Sequence, residues 1–356
     1  MSYFRPNVEA MSGYVPGEQP QGGGFVKLNT NENPYPPSPR VVEALRKWIG
    51  PKLRLYPDPN ATAVRERVGR LFDVSPDRVI VGNGSDDILT IVYRSFVEPG
   101  EVVAYPTPTY SLYPTLARIQ GARVREVPFP EDFSLPCELS ETGTKLTLLS
   151  NPNSPTGTVV PSDEVSRLAE SLDGILVVDE AYVDFAESHC VDLVKRHDNV
   201  VVTRSFSKSF ALCGLRLGYA VADETLVAGM LKVKDSYNVN RLAAVAGAAA
   251  LDDIEYMREN AERIKRTRAR LAAELERLEW QVRPSQANFV FARVTGSRPA
   301  KHVYEELKQR KILVRHFGDS LRITVGTDEE IDTLIESLRD VLTAGWGSPE
   351  GETVHG

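Results

Sequence analysis

Short, nearly all-apolar runs recur along the first two thirds of the chain: Val79–Val81, Val102–Tyr105, Leu146–Leu149, Ile175–Val178, Val200–Thr203 and Leu217–Val221. Each is rich in β-branched residues and bounded by turn residues or by a segment of helical period. Pro39–Ile49, Ala61–Phe72, Asp86–Phe96 and Pro161–Ser171 carry that helical period. Strands apolar at successive positions are buried on both faces. Their alternation with helices predicts an α/β domain over residues 40–240, a mostly parallel sheet covered by helices on both faces.

After Asn240 the pattern changes. Arg241–Leu251 is Ala-rich, and Ile254–Leu278 reads as a long charged amphipathic helix able to bridge two domains. Asn288–Ala292, Ile312–Arg315 and Leu321–Val325 read as strands, Ala300–Gln309 and Asp328–Leu342 as helices. A smaller α+β domain over 241–345 is expected. Residues 1–39, with many Gly, Pro and Asn, read as an extended arm joining the small domain. Residues 346–356 read as a flexible tail.

A chain of 356 residues accommodates two such domains. Its net charge is −7 with a pI near 5.5, and it has no basic block. That balance disfavours nucleic acid or a membrane surface as partner. No run approaches the roughly 18 apolar residues of a membrane span, and Met1–Gln21 lacks the apolar core of a signal peptide. The cysteines, Cys137, Cys190 and Cys213, lie far apart. They suggest neither a disulfide framework nor a metal cluster, and fit a reducing cytoplasm. Basic groups that matter must therefore be local and aimed at a small anion.

Ligands of α/β sheets sit beyond the carboxyl ends of the strands. Val79–Val81 runs into Gly82-Asn83-Gly84-Ser85-Asp86, a loop whose free N–H groups suit a phosphate. The plainer reading is a Gly-rich turn with Ser85 or Asp86 as N-cap. Leu146–Leu149 runs into Ser150-Asn151-Pro152-Asn153-Ser154-Pro155-Thr156-Gly157, a Pro-stiffened loop placing Asn151 at the strand tip. Ile175–Val178 runs into Asp179-Glu180-Ala181-Tyr182. A carboxylate there must meet a donor or cation. Mg²⁺ would be one choice, but no G-x-x-x-x-G-K-[ST] loop accompanies it. Val200–Thr203 runs into Arg204-Ser205-Phe206-Ser207-Lys208, with Arg216 close behind. Ser205, Ser207 and Arg216 suit a phosphate, and Lys208 suits a nucleophilic amine. A phosphate cup, an amide, a carboxylate and an amine are the set that pyridoxal phosphate needs.

The same segments, with Gly214-Leu215-Arg216-Leu217-Gly218-Tyr219, resemble fold-type I pyridoxal-phosphate aminotransferases, over about Tyr14–Leu342. Lys27-Leu28-Asn29-Thr30-Asn31-Glu32-Asn33-Pro34, Leu55-Tyr56-Pro57-Asp58-Pro59 and Leu321-Arg322-Ile323-Thr324-Val325-Gly326 resemble the histidinol-phosphate aminotransferases among them. The resemblance implies that Lys208 captures the cofactor aldehyde and that Asp179 partners the ring N–H. Tyr182 and Asn151 would donate to the phenolic oxygen, and Tyr110 would stack on the ring. Gly84, Ser85, Ser205, Ser207 and Arg216 would hold the phosphate, with Asp86 beside them.

Tyr14, Asn151, Arg315 and Arg322 would meet the substrate, and Tyr56 would reach the cofactor phosphate of the other subunit of a homodimer. The implied substrates are L-histidinol phosphate and 2-oxoglutarate, that is, a phosphate-bearing amine and a 2-oxo acid. Departures from the family pattern are Ser154 in the Asn-Pro loop, Asp87 and Cys213. Aromatic aminotransferases and an amino-acid-phosphate decarboxylase share the frame. A cofactor-binding regulator without turnover is the non-enzyme alternative. His316, beside Arg315, reads as at most a rim residue.

Overall fold

The computed structural model describes residues 2–13 and 17–343, so Tyr14 and the expected tail lie outside the described residues. Strand β1 (Val26–Lys27) precedes a seven-stranded sheet built of β2 (Val79–Gly82), β3 (Val102–Thr107), β4 (Arg123–Pro128), β5 (Thr144–Ser150), β6 (Ile175–Asp179), β7 (Val200–Ser205) and β8 (Gly218–Val221). The order is β2-β8-β7-β6-β5-β3-β4. Pairing is parallel throughout except around β8, which runs antiparallel to both β2 and β7. The chain between β7 and β8 holds only a short turn at Cys213–Leu215. It therefore lacks the crossover helix that usually returns a strand in parallel.

The helices are α1 (Pro6–Glu9), α2 (Pro39–Trp48), α3 (Thr62–Phe72), α4 (Ser85–Phe96), α5 (Leu112–Gln120), α6 (Ser162–Ser171), α7 (Glu224–Leu231), α8 (Arg241–Leu251), α9 (Ile254–Arg277), α10 (Ala300–Gln309) and α11 (Asp328–Thr343). None is long and apolar enough to cross a membrane, among the described residues. Successive strand residues point to opposite faces. Val200 and Val202 pack with Val64, Val165 and Ala246 on one face, while Val201 and Val177 pack with Ile88, Leu116 and Val227 on the other. Burying each such side chain contributes about 1.5–3 kcal/mol. That parity decides which polar residue, just past each strand, reaches which face.

A four-stranded antiparallel sheet follows: β9 (Gln281–Val282), β10 (Phe289–Arg293), β12 (Arg315–Phe317) and β13 (Ser320–Thr324), in the order β12-β13-β10-β9. The expected strand Ile312–Arg315 is split. β11 (Ile312–Leu313) pairs in parallel with β1 of the arm, and Arg315 opens β12. Leu28 of the arm is buried in the same cluster as Ile323 and Leu334. At its start the arm instead touches α5, where the Asn7 amide donates to the Arg118 carbonyl at 2.7 Å. Ala243, Ala246 and Ala250 of α8, with Met257 and Ile264 of α9, pack into the large core, while Leu271 and Leu275 of α9 enter the small one. Thus α8 adjoins the large core, and α9 spans both.

Candidate active site

The carboxyl ends of β5, β6 and β7 open into a cavity of about 320 Å³, closed by the arm and by β12 and β13. Parity puts Asp179 and its register partner Thr203 on the α5 face. Asp179 is buried and accepts from Tyr113 Oη at 2.9 Å, from the Ala181 N–H at 3.2 Å and from Thr203 Oγ1 at 3.3 Å. Burial pushes its carboxyl up to about 6, and the nearby Asp86 charge adds to the rise, while the three donors pull the other way. None of those donors is a cation.

Lys208 sits in the turn after β7. Its Nζ donates to the Thr30 carbonyl at 3.2 Å and lies 5.8 Å from the Tyr182 ring centre. The Tyr182 hydroxyl accepts from Asn31 Nδ2 at 3.0 Å, and its ring meets Phe289 edge-on.

The expected phosphate cup lies where β2 passes into α4. Gly84 has φ +89°, and a Cβ there would stand 2.7 Å from Arg216 Nη2. The position is reserved for glycine by both conformation and space. Ser85 opens α4, whose first-turn N–H groups and positive dipole end favour an anion. Arg216 Nη1 donates to Ser207 Oγ at 3.2 Å, and Ser205 Oγ accepts from the Ser207 N–H at 3.1 Å. Asp86 holds the second guanidinium nitrogen at 3.1 Å and accepts from Tyr110 Oη at 3.1 Å. The Asp86 carboxylate thus orients Arg216 and Tyr110, and the donor Asp86 can offer an ionised phosphate is its backbone N–H in the first turn of α4.

Arg315 and Arg322 face one another directly across the β12–β13 ladder, and both line the cavity. Arg322 is buried, donating from Nη1 to Ser154 Oγ at 3.3 Å and from Nη2 to the Asn29 carbonyl at 3.1 Å. The Phe317 ring lies beneath both guanidinium groups, 5.8 Å from Arg315 and 5.7 Å from Arg322.

One expected residue is displaced. Asn151 does not line the cavity, because the Pro-rich loop folds its amide onto Val160: Nδ2 donates to the Val160 carbonyl and Oδ1 accepts the Val160 N–H, both at 2.9 Å. Ser154 from the same loop lines the cavity instead. Tyr56 lies off the cavity, 76% exposed and stacked on Tyr237 at 4.5 Å. His316 stacks on Tyr304 at 5.8 Å and is not part of the lining. The cavity also holds residues that motif reading passed over: Thr30, Asn31 and Ser154 line it, while Tyr113 and Thr203 hold Asp179. Strand parity points to Thr203, two positions before Ser205, whereas Asn31 and Thr30 lie inside a stretch whose only sequence signal is its family resemblance. Among the described residues no group of His, Cys, Asp and Glu could hold a metal ion.

A family model, aminotransferase class I and II, matches residues 24–338. Histidinol-phosphate aminotransferase 1 of Nostoc sp. is 47% identical over 348 residues, covering 96% of this chain and 98% of the relative. The chain belongs to the histidinol-phosphate aminotransferases of class I and II. A second member of the family, from Syntrophotalea carbinolica, is 48% identical over 347 residues, covering 96% of this aminotransferase and all (100%) of the relative. A solved structure of the Sinorhizobium meliloti histidinol-phosphate aminotransferase, in complex with pyridoxal-5'-phosphate, superposes with a TM-score of 0.88 at 25% identity, covering 96% of this chain and 98% of that one. Aspartate aminotransferase from Thermus thermophilus with maleate superposes at 0.83 with 23% identity, covering 96% of this chain and 100% of that one, and shares the fold.

Proposed function

We propose that this aminotransferase uses pyridoxal 5'-phosphate to convert L-histidinol phosphate and 2-oxoglutarate into imidazole acetol phosphate and L-glutamate, in histidine biosynthesis. One observation carries the reading: an amine, an uncompensated buried carboxylate, a phosphate cup and two arginines open into the same cavity.

The residues fit the cofactor. Asp179 has neutral donors only and a raised proton affinity, as suits a carboxylate that meets a ring N–H⁺ on loading. Gly84, Ser85, Ser205, Ser207 and Arg216 would hold the phosphate, Tyr110 would stack on the ring, and Tyr182 would donate to the phenolic oxygen. When bound, the cofactor supplies a carbonyl for capture by an amine and a ring that takes up electrons from the substrate Cα. Lys208 would be the amine that holds the cofactor's carbonyl carbon, and its Nζ would serve as the base and acid that moves a proton at the substrate Cα. Asp179 keeps the ring nitrogen protonated. Arg322 and Arg315 bind the phosphate ester in one half of the cycle and the dicarboxylic acid in the other, which the pair can do because both face the cavity.

The working unit in this reading is a cytoplasmic homodimer. Ile49, Leu53, Leu55, Tyr56 and Tyr237 are exposed hydrophobic residues in neighbouring segments, a surface suited to a second copy of the chain. Tyr56 would complete the phosphate cup of that copy.

The test is a half-reaction. Holoenzyme mixed with histidinol phosphate should lose the visible absorbance of its cofactor, and 2-oxoglutarate should restore it. Phenylalanine or aspartate should do far less. An equal or faster response to phenylalanine would reassign the enzyme to aromatic substrates.

A further inference from the structure

Asn31 lies in the arm with φ +56° and is 1% exposed. Its backbone N–H donates to Thr324 Oγ1 at 3.0 Å, and that hydroxyl donates to Asn31 Oδ1 at 3.1 Å. The Asn31 carbonyl accepts from Asn288 Nδ2 at 3.0 Å. With Oδ1 accepting from Thr324, Nδ2 faces Tyr182 Oη at 3.0 Å. An amide NH₂ only donates. The Tyr182 oxygen therefore accepts, and its single proton points elsewhere. Tyr182 lines the cavity.

We propose that Asn31 is a positioning residue that turns the Tyr182 hydroxyl into a donor aimed into the cavity. The inference rests on reading that cavity as a cofactor site, and it deepens that reading. The same arm fixes the other reacting side chain. Thr30 accepts Lys208 Nζ, and the Asn33 amide donates to the Lys208 and Ser209 carbonyls at 2.9 and 3.0 Å. A segment far from both in sequence thus sets the direction of a hydroxyl and the resting place of an amine. The charged groups facing this end of the cavity are Lys208, Asp179 and Arg322.

The test is a pH titration of the visible absorbance of pyridoxal-phosphate holoenzyme. Asn31→Asp keeps the shape but presents an acceptor to Tyr182, which draws the phenol proton away from the cavity. Asn31→Gly keeps the left-handed backbone and removes the amide. A donor on the cofactor's phenolic oxygen competes with the proton held beside it, so losing that donor raises the midpoint. Both variants, like Tyr182→Phe, should move the midpoint upward, by up to about tenfold in proton affinity, the scale of one hydrogen bond. In both, kcat should fall more than KM rises, and neither should move the midpoint further in a Tyr182→Phe background.

Midpoints at the wild-type value in folded variants, or an undiminished shift in the Tyr182→Phe background, would overturn the proposal. Should neither variant fold, Thr324→Val removes the hydroxyl that keys the amide, and an unmoved midpoint there overturns it equally. Failure of the functional reading looks different: the wild type would then take up no cofactor, or would show the same spectrum as Lys208→Ala.

Discussion

Asp179 and Glu180 are neighbours in sequence and lie on opposite faces of the same sheet. On the α5 face Asp179 meets a tyrosine, a threonine and a backbone N–H, with its charge uncompensated and a cavity alongside. On the α9 face Glu180 is locked: it accepts from Arg204 Nε at 2.8 Å and from the Cys190 N–H. Burial alone would weaken the hold of Arg204 on its proton, but Glu180, Tyr219 and Asp184 outweigh it and keep the guanidinium above its ordinary range. A buried carboxylate already paired with a cation is structural. One left without a cation, at the edge of a cavity, waits for a ligand that brings one. Under the proposed function the two faces therefore separate function from stability one residue apart.

That separation can be broken on either side. The largest effect belongs to the open face: Lys208→Ala should lower turnover by at least about 10³-fold and abolish borohydride fixation of pyridoxal phosphate at this position. Asp179→Asn should cut kcat by about 10²–10³-fold while the apoenzyme stays folded. On the closed face, Glu180→Gln strands a buried guanidinium and should destabilise the fold by about 3–5 kcal/mol, with turnover per folded molecule largely kept. Denaturant melts beside active-site-titrated kinetics distinguish these outcomes; the reverse pattern would erase the contrast.

A third effect is pH-linked. Because Asp179 in the folded chain titrates above the ordinary carboxyl range, its stabilising share is complete when it is protonated and fades as pH rises from about 4 through about 6. Apoenzyme stability should therefore lose about 2–3 kcal/mol across that window relative to Asp179→Asn. Added cofactor should remove the loss. Smallest is Arg322→Lys, which gives up the two-pronged hold on anions and should raise KM for histidinol phosphate and 2-oxoglutarate by about tenfold. An unchanged KM for 2-oxoglutarate would make Arg322 a structural arginine.

The large sheet was legible because its inner strands are apolar at nearly every position. The misses have local causes. β4 is an edge strand with Arg123, Val124, Glu126 and Pro128 exposed, so no apolar run marks it. α5 carries Pro114, which reads as a break; there it occupies the first turn, where a missing N–H is harmless. With α5 went Tyr113, the donor to Asp179. The reversed direction of β8 lay in what the β7–β8 link lacks, which a pattern of apolar runs does not display. Asn151 and Ser154 share one loop, and a loop has no period from which to read which side chain faces in. Asn31 depends on Thr324, 293 residues away, and no local pattern carries that contact.

The central claim is that Asp179 is kept free of a cation so that it can hold the proton of the cofactor ring. Nitrogen NMR of holoenzyme loaded with ring-¹⁵N pyridoxal phosphate tests it most directly. A protonated ring nitrogen is expected in the wild type from about pH 6 to pH 8, and a neutral one in Asp179→Asn. A neutral ring nitrogen in the wild type, or a protonated one that survives Asp179→Asn, would contradict it.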